Sequence, residues 1–264
     1  MTSRTTPEPV FARTRLGSGP GLLLAHGAGS SLANTYGPIL EGLAASRTVV
    51  GVDYPGSGET PRSTAPLSVD DLADQLVAAA DAEGLDRFAV SGYSLGGAVA
   101  IRAAARYPER VTALVLTAAF AYRDNRLALA SSAWNKIAAS GDRELLAEFL
   151  LLSALGTQGL ESMPDEQLRQ VVGYAASGAA DGSPEQADLV GRVDVRDDLA
   201  GIGVPTLVVS TTDDRLTSPA LHQHLARTIP GARLAEIPTG HLPMLERGEE
   251  WLRLIAEFLG KHDA

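Results

Sequence analysis

The chain has 264 residues, 45% of them apolar and 20% charged, with no cysteine and a formal charge of −10 at pH 7. That length suits one main domain with a continuous core, and without cysteine there is no disulfide, no thiolate nucleophile and no sulfur-ligated metal. The acidic balance argues against nonspecific nucleic-acid binding, which needs clustered Lys and Arg against phosphates; lysine occurs only at Lys136 and Lys261.

No apolar run reaches the length of a membrane-spanning helix, and residues 1–10 (MTSRTTPEPV) lack the apolar core of a signal peptide. They read as a loose tail, and the expected protein is cytoplasmic and engages no membrane. Residues 11–16 (FARTRL) alternate as a half-exposed strand does, and a glycine-rich turn leads into 22–25, which is apolar throughout and so suits a strand buried on both faces of a parallel sheet. These two strands are expected to pair as a hairpin. His26-Gly27-Ala28-Gly29 follows, then a helix over about 36–45 and a buried strand over 48–52 that ends in Asp53-Tyr54-Pro55-Gly56-Ser57-Gly58. Ser68 reads as the N-cap of a helix with Asp71 in its first turn, stopping near Gly84.

Residues 87–107 (RFAVSGYSLGGAVAIRAAARY) join a short apolar strand to an alanine-rich helix. Between them, Gly92-Tyr93-Ser94-Leu95-Gly96 places a serine where a strand turns straight into a helix, with no Cβ at either second neighbour to clash. Such a hydroxyl stands at a helix N-terminus, where free N–H groups can receive developing negative charge. Another buried strand is expected at 111–117. From 118 to 198 the strand-like runs vanish, and helices are expected over 127–139, 143–153, 165–177 and 184–193, as an insertion over the sheet. The alternation resumes with a strand at 205–210, a helix at 219–228, a strand at 233–237 and a helix at 249–259. This order implies an α/β fold with a doubly wound, mostly parallel sheet, a core of 1–117 and 199–264, and a helical cap of 118–198.

A nucleophilic serine needs a base and a group to hold that base. His241 lies just after the last strand, at the sheet edge where the Ser94 turn sits. His222 and His224 fall two apart on a helix, point in different directions and cannot share a metal there. The acid is sought in Asp213-Asp214 after the preceding strand, because the loop directly after 111–117 offers Ala118-Ala119-Phe120 and no carboxylate before Asp124. Tyr93, Tyr122 and Trp134 are candidate substrate-binding residues, with Phe149, Met163 and Tyr174 as further candidates to line an acyl pocket. Glu246 and Trp251 are expected to cap and pack the last helix.

His26-Gly27, Asp53-x-x-Gly56-x-Gly58, the Ser94 turn, Asp213-Asp214 and Gly240-His241 occur in the order seen in the α/β-hydrolase superfamily, which the chain resembles over roughly residues 10–260. The resemblance implies a Ser94–His241–Asp214 triad with Asp213 as the alternative acid. It also implies an oxyanion hole from the backbone N–H groups of Ala28 and Leu95, with no metal and no cofactor. It carries the expectation of a serine hydrolase acting on a small-molecule ester, lactone or thioester. A lyase or haloperoxidase-like enzyme of the same fold is the nearer alternative, and a non-catalytic receptor on the same scaffold the more distant one. A carbon–carbon bond hydrolase fits less well, because those relatives often carry Trp after the base, where this chain has Leu242.

Overall fold

A computed structural model describes residues 11–262; the tail expected at 1–10 lies outside them. In chain order the elements are β1 (Arg13–Leu16), β2 (Gly21–Ala25), α1 (Leu32–Ala44), β3 (Thr48–Val52), α2 (Val69–Ala82), β4 (Phe88–Tyr93), α3 (Leu95–Arg106) and β5 (Val111–Thr117). The helices α4 (Asn125–Ser140), α5 (Arg143–Ala154), α6 (Thr157–Glu161), α7 (Asp165–Gly178), α8 (Ser183–Val190) and α9 (Arg196–Leu199) come next. The chain closes with β6 (Thr206–Thr211), α10 (Pro219–Thr228), β7 (Arg233–Ile237), α11 (Pro243–Glu246) and α12 (Gly248–Leu259).

The strands form one seven-stranded sheet in the order β1-β3-β2-β4-β5-β6-β7. All neighbours are parallel except β1 and β3. The apolar runs become its inner strands: β2, β3, β4 and β6 are buried at every position, as strands covered on both faces must be. One apolar core joins the sheet to α2, α3 and α10, and a second joins it to α1 and α12. Within the second, Trp251 is fully buried, stacks on Tyr36 at 5.3 Å and donates its indole N–H to Thr117 Oγ1 at 2.9 Å.

The expected hairpin of β1 with β2 does not form. β3 lies between them, because β2 takes parallel partners along both edges and the 17–20 link arches over the start of β3. Thr48 binds that link twice, from its N–H to Pro20 O at 3.1 Å and from its hydroxyl to Gly19 O at 2.9 Å. Gly17 and Gly19, at φ 74° and 123°, run so close to the carbonyls of Ala44, Ser46 and Arg47 that a Cβ at either would overlap them. β1 becomes an exposed edge strand whose Arg13 and Arg15 pair with Glu83, charges that discourage edge-to-edge association.

The excursion between β5 and β6 leaves and returns side by side: Val195 donates to Ala121 O at 2.7 Å, and Arg123 to Val193 O at 3.1 Å. This pairing ends α8 at Val190, short of the expected 193. Among the described residues, no helix is long and apolar enough to cross a membrane.

The start of α3 packs onto the carboxyl end of β2. A Cβ on Gly96 would overlap the Ala25 carbonyl oxygen and lie 2.7 Å from that of His26, backbone atoms that cannot move aside. Gly96→Ala is therefore expected to destabilise the fold by about 1–3 kcal/mol. Gly173→Ala, on α7 with open space around its position, should instead stabilise it by about 0.5–1 kcal/mol. Equal shifts for the two variants in urea titrations would show that close approach is not what requires glycine at 96.

Candidate active site

Ser94 occupies the junction of β4 and α3 with φ 54° and ψ −119°, a conformation that costs an L-residue on the order of 1–3 kcal/mol. Its N–H is held by Thr117 O at 3.0 Å. The parallel strands β6 and β7 end at the same edge of the sheet, and their loops deliver Asp214 and His241 to this point. Ser94 Oγ lies 3.0 Å from His241 Nε2, and His241 Nδ1 lies 2.8 Å from Asp214 Oδ2. Because the carboxylate only accepts, Nδ1 carries the proton and Nε2 is left to accept from the serine hydroxyl.

Asp214 is buried and fully coordinated. Oδ1 accepts the N–H groups of Leu216 at 2.9 Å and Thr217 at 2.8 Å, and Oδ2 accepts the hydroxyls of Thr211 and Thr217, both at 2.8 Å. Burial favours the neutral acid, but the charge and hydrogen bond of His241, with help from His222 and Thr217, outweigh it and hold the carboxyl below its ordinary range. Asp213 faces elsewhere: its carboxylate accepts the N–H and the hydroxyl of Thr157 at the start of α6.

Four residues beyond the sequence-predicted set hold this arrangement. Thr217 Oγ1 stands within 3.2 Å of His222 Nε2 and 3.1 Å of His241 Nδ1, besides its bond to Asp214. His222 is fully buried, with Nδ1 3.1 Å from Ser210 Oγ. Gln186 on α8, also fully buried, accepts the Gly29 N–H at 2.8 Å and donates to Pro55 O at 3.1 Å and Ser57 Oγ at 2.9 Å. Glu246 does not cap α12 as expected; it accepts the N–H groups of Gly240 at 3.0 Å and Gly156 at 3.3 Å, and burial pushes its carboxyl up despite these bonds. The only sequence signal for Thr217 is a hydroxyl three residues after an aspartate, the spacing of a local side-chain-to-backbone turn.

His26 lies at the base of the glycine-rich loop. Its Nε2 accepts the Tyr54 N–H at 3.0 Å and its Nδ1 faces Gly27 O at 2.7 Å, so the ring is neutral with the proton on Nδ1. The N–H groups of Ala28 and Leu95 have no acceptor among the described residues.

A cavity of about 230 Å³ opens over Ser94 and His241. Ala28, Tyr93, Trp134 and Tyr174 line it, although the Tyr93 hydroxyl is engaged by His241 O at 2.7 Å. Tyr122 does not line it, against expectation: its ring is held away by Arg196, 4.9 Å above it, and by His224 edge-on at 5.3 Å. Phe149 and Met163 are also absent from the lining, and Phe149 packs instead beside Trp134 and Leu146. Among the described residues, no three His, Asp or Glu side chains are grouped to hold a metal ion.

A parallel-dominated sheet with Ser, His and Asp meeting at its carboxyl edge is the architecture of a hydrolase. The family model described as alpha/beta hydrolase fold matches residues 20–248, and the chain belongs to that family. Over 94% of its length it is 33% identical to pyrrolizixenacetamide deacetylase of Xenorhabdus hominickii, covering 93% of that protein. It is 31% identical to pimeloyl-[acyl-carrier protein] methyl ester esterase of Neisseria meningitidis serogroup C, over 89% of this chain and 92% of that one. Among solved structures, a thermophilic esterase from Thermogutta terrifontis superposes with a TM-score of 0.84 at 26% identity, covering 100% of this chain and 97% of the other. The chain is thus an enzyme of the hydrolase type.

Burial keeps His26 and His222 neutral, lowering each from 6.5 to about 4. Between those values the unfolded chain binds protons that the native state refuses, so stability is greatest above pH 6.5 and declines toward pH 4. The expected slope is on the order of 1 kcal/mol per pH unit for each histidine. His222→Gln should flatten the fall in urea midpoint across this window by about half; an unaltered slope would show that another group titrates.

Proposed function

We propose that the chain hydrolyses a small-molecule ester, lactone or thioester through an acyl-enzyme, with Ser94 as nucleophile, His241 as base and then acid, and Asp214 as the group that orients the imidazole. The observation that carries this reading is the unbroken hydrogen-bond chain from Ser94 Oγ through His241 to Asp214, 3.0 and 2.8 Å, opening onto the cavity. Ser94 Oγ attacks the carbonyl carbon while its proton passes to His241 Nε2. The imidazolium is stabilised by Asp214 and returns that proton to the leaving oxygen or sulfur as the carbonyl–heteroatom bond breaks. Water, deprotonated by the same Nε2, then attacks the acyl carbon, and Ser94 leaves with the proton restored.

The carbonyl oxygen becomes negative in both half-reactions, and the N–H groups of Ala28 and Leu95 are its donors in this scheme. Held by a rigid loop and a helix start, they need no reorganisation as charge develops. Residues 118–198 act as a cap over a core of 1–117 and 199–264, supported by the single bridge that joins Tyr122 to Asp194 where the segment leaves and returns and by the cavity residues that α4, α5, α7 and α8 contribute. The names of the deacetylase and methyl ester esterase relatives support acyl-bond hydrolysis as the chemistry.

A fluorophosphonate probe is expected to label the native enzyme at Ser94 and to leave Ser94→Ala unlabelled. Asp214→Asn should lower kcat on a p-nitrophenyl ester by about 10⁴-fold, since the amide favours the wrong imidazole tautomer, while Asp213→Asn stays within a few-fold of the parent. The reverse ranking would make Asp213 the orienting acid. A Ser94 that resists labelling while substrate analogues still bind would mark the protein as a receptor on this scaffold.

A further inference from the structure

The cavity over Ser94 is lined without a single Asp, Glu, Lys or Arg. A carboxylate or ammonium on the substrate would enter it with no counter-charge, and burying an unpaired ion costs several kcal/mol even after relaxation. The space is also specific in size: about 230 Å³, against the roughly 150 Å³ of an engineered apolar cavity that holds benzene. It therefore suits a chain longer than an acetyl group.

One wall of this cavity is unusual. The helix α7 runs for 14 residues alongside α5, and none of its residues is buried. Isolated helices of that length are marginal in water and normally owe their stability to a covered apolar face. The stripe that α7 offers is Val171, Tyr174, Ala175 and Gly178, at i, i+3, i+4 and i+7, and all four line the cavity, with Val171 and Ala175 only half-buried by the protein around them. Tyr174 remains 69% exposed, and Leu245, which lines the cavity from α11, 60%. Polar ties hold the C-terminal half of α7: Arg143 donates to Ala176 O at 2.9 Å and Ala179 O at 2.8 Å, and the Tyr174 hydroxyl donates to Asn34 Oδ1 at 3.4 Å.

We propose that the covering partner of this stripe is the substrate: an uncharged apolar chain on the acyl side of the scissile carbonyl, running from Ser94 to α7, with Val171, Tyr174 and Ala175 setting its usable length. This rests on the acyl-hydrolase reading above. The acyl side is assigned because that group stays attached to Ser94 through both half-reactions, so a fixed site for it is used in both transition states.

The test compares p-nitrophenyl acetate, butanoate and octanoate with the p-nitrophenyl monoester of octanedioic acid, which matches octanoate in length but ends in a carboxylate. The expected result is a kcat/KM that rises from acetate to octanoate and falls by roughly a hundred-fold or more for the octanedioate. Ala175→Phe, which adds bulk to the α7 wall of the cavity, should cut kcat/KM for octanoate by about ten-fold or more through KM and cut that for acetate by much less, the signature of lost ground-state binding, and an equal loss for both esters counts against the assignment; Val171→Phe is the second variant if the first fails to fold. Equal rates for octanoate and octanedioate, no gain with acyl length, or a length preference seen only with alkyl acetates would each overturn the assignment while Ser94 labelling still upheld the hydrolase. If no ester turns over and Ser94 is unlabelled, the hydrolase reading fails by itself. The cavity is then judged on Ser94→Ala, whose Tm should rise with methyl octanoate and not with monomethyl octanedioate; a rise with both or with neither refutes the inference.

Discussion

The backbone at Ser94 is the constraint from which the site follows. A non-glycine residue at φ 54° holds only where its surroundings leave no alternative, and here close backbone contacts flank it on both sides in sequence. Gly92 lies so close to Gly96 that a Cβ would overlap the Gly96 carbonyl oxygen and stand 2.8 Å from Gly97 Cα. The Ser94 N–H is fastened to β5 through Thr117, and every residue of α3 from Leu95 to Ile101 is buried. The Ser94 backbone is thereby fixed, and the loops after β6 and β7 bring a histidine and a carboxylate to its side chain.

What surrounds those partners is polar but satisfied. Asp214 receives donors at both oxygens, and Thr217 stands where Asp214, His222 and His241 come within 3.2 Å of one hydroxyl. In a buried setting of low dielectric, a half-paired network of this kind would be costly, whereas a complete one fixes geometry. The same logic applies across the cavity: the Gln186 amide bridges Gly29, Pro55 and Ser57, so that α8, far along the chain, helps to set the loop carrying Ala28.

The readable parts of the sequence were those governed by local rules. The strands 48–52, 111–117 and 233–237 appear with the bounds that uninterrupted or β-rich apolar runs indicated, and Ser68 caps α2 by accepting the Asp71 N–H at 3.0 Å. Strand pairing is not local, and the separation of β1 from β2 depended on β3 slipping beneath the 17–20 link, which no periodicity records. The short helices α6, α9 and α11, of 4 or 5 residues, are too brief to display a repeat. For the site, Ser94, His241 and the Asp213-Asp214 pair stood out because each follows a strand. Thr217 and Gln186 did not, since their placement depends on contacts made 24 and 157 residues away. Tyr122 shows the limit of guessing pocket walls from residue type: its ring is spent on Arg196 and His224.

The end of α5 is knotted to the loops that bear the histidine and the aspartates. The His241 N–H donates to Ala154 O at 2.6 Å, Glu246 binds both Gly156 and Gly240, Asp213 binds Thr157, and Arg215 reaches the Thr157 hydroxyl at 2.6 Å. Gly156 and Gly240 meet back to back with no room for a side chain on either. The helical layer is therefore anchored to the loops after β6 and β7 at the end of α5. Lifting it at α5 would draw the loop of His241 away from Ser94, whereas α7 is tied by its packing along α5, the Tyr174–Asn34 contact and the Arg143 bonds, none of which reaches the loops after β6 and β7.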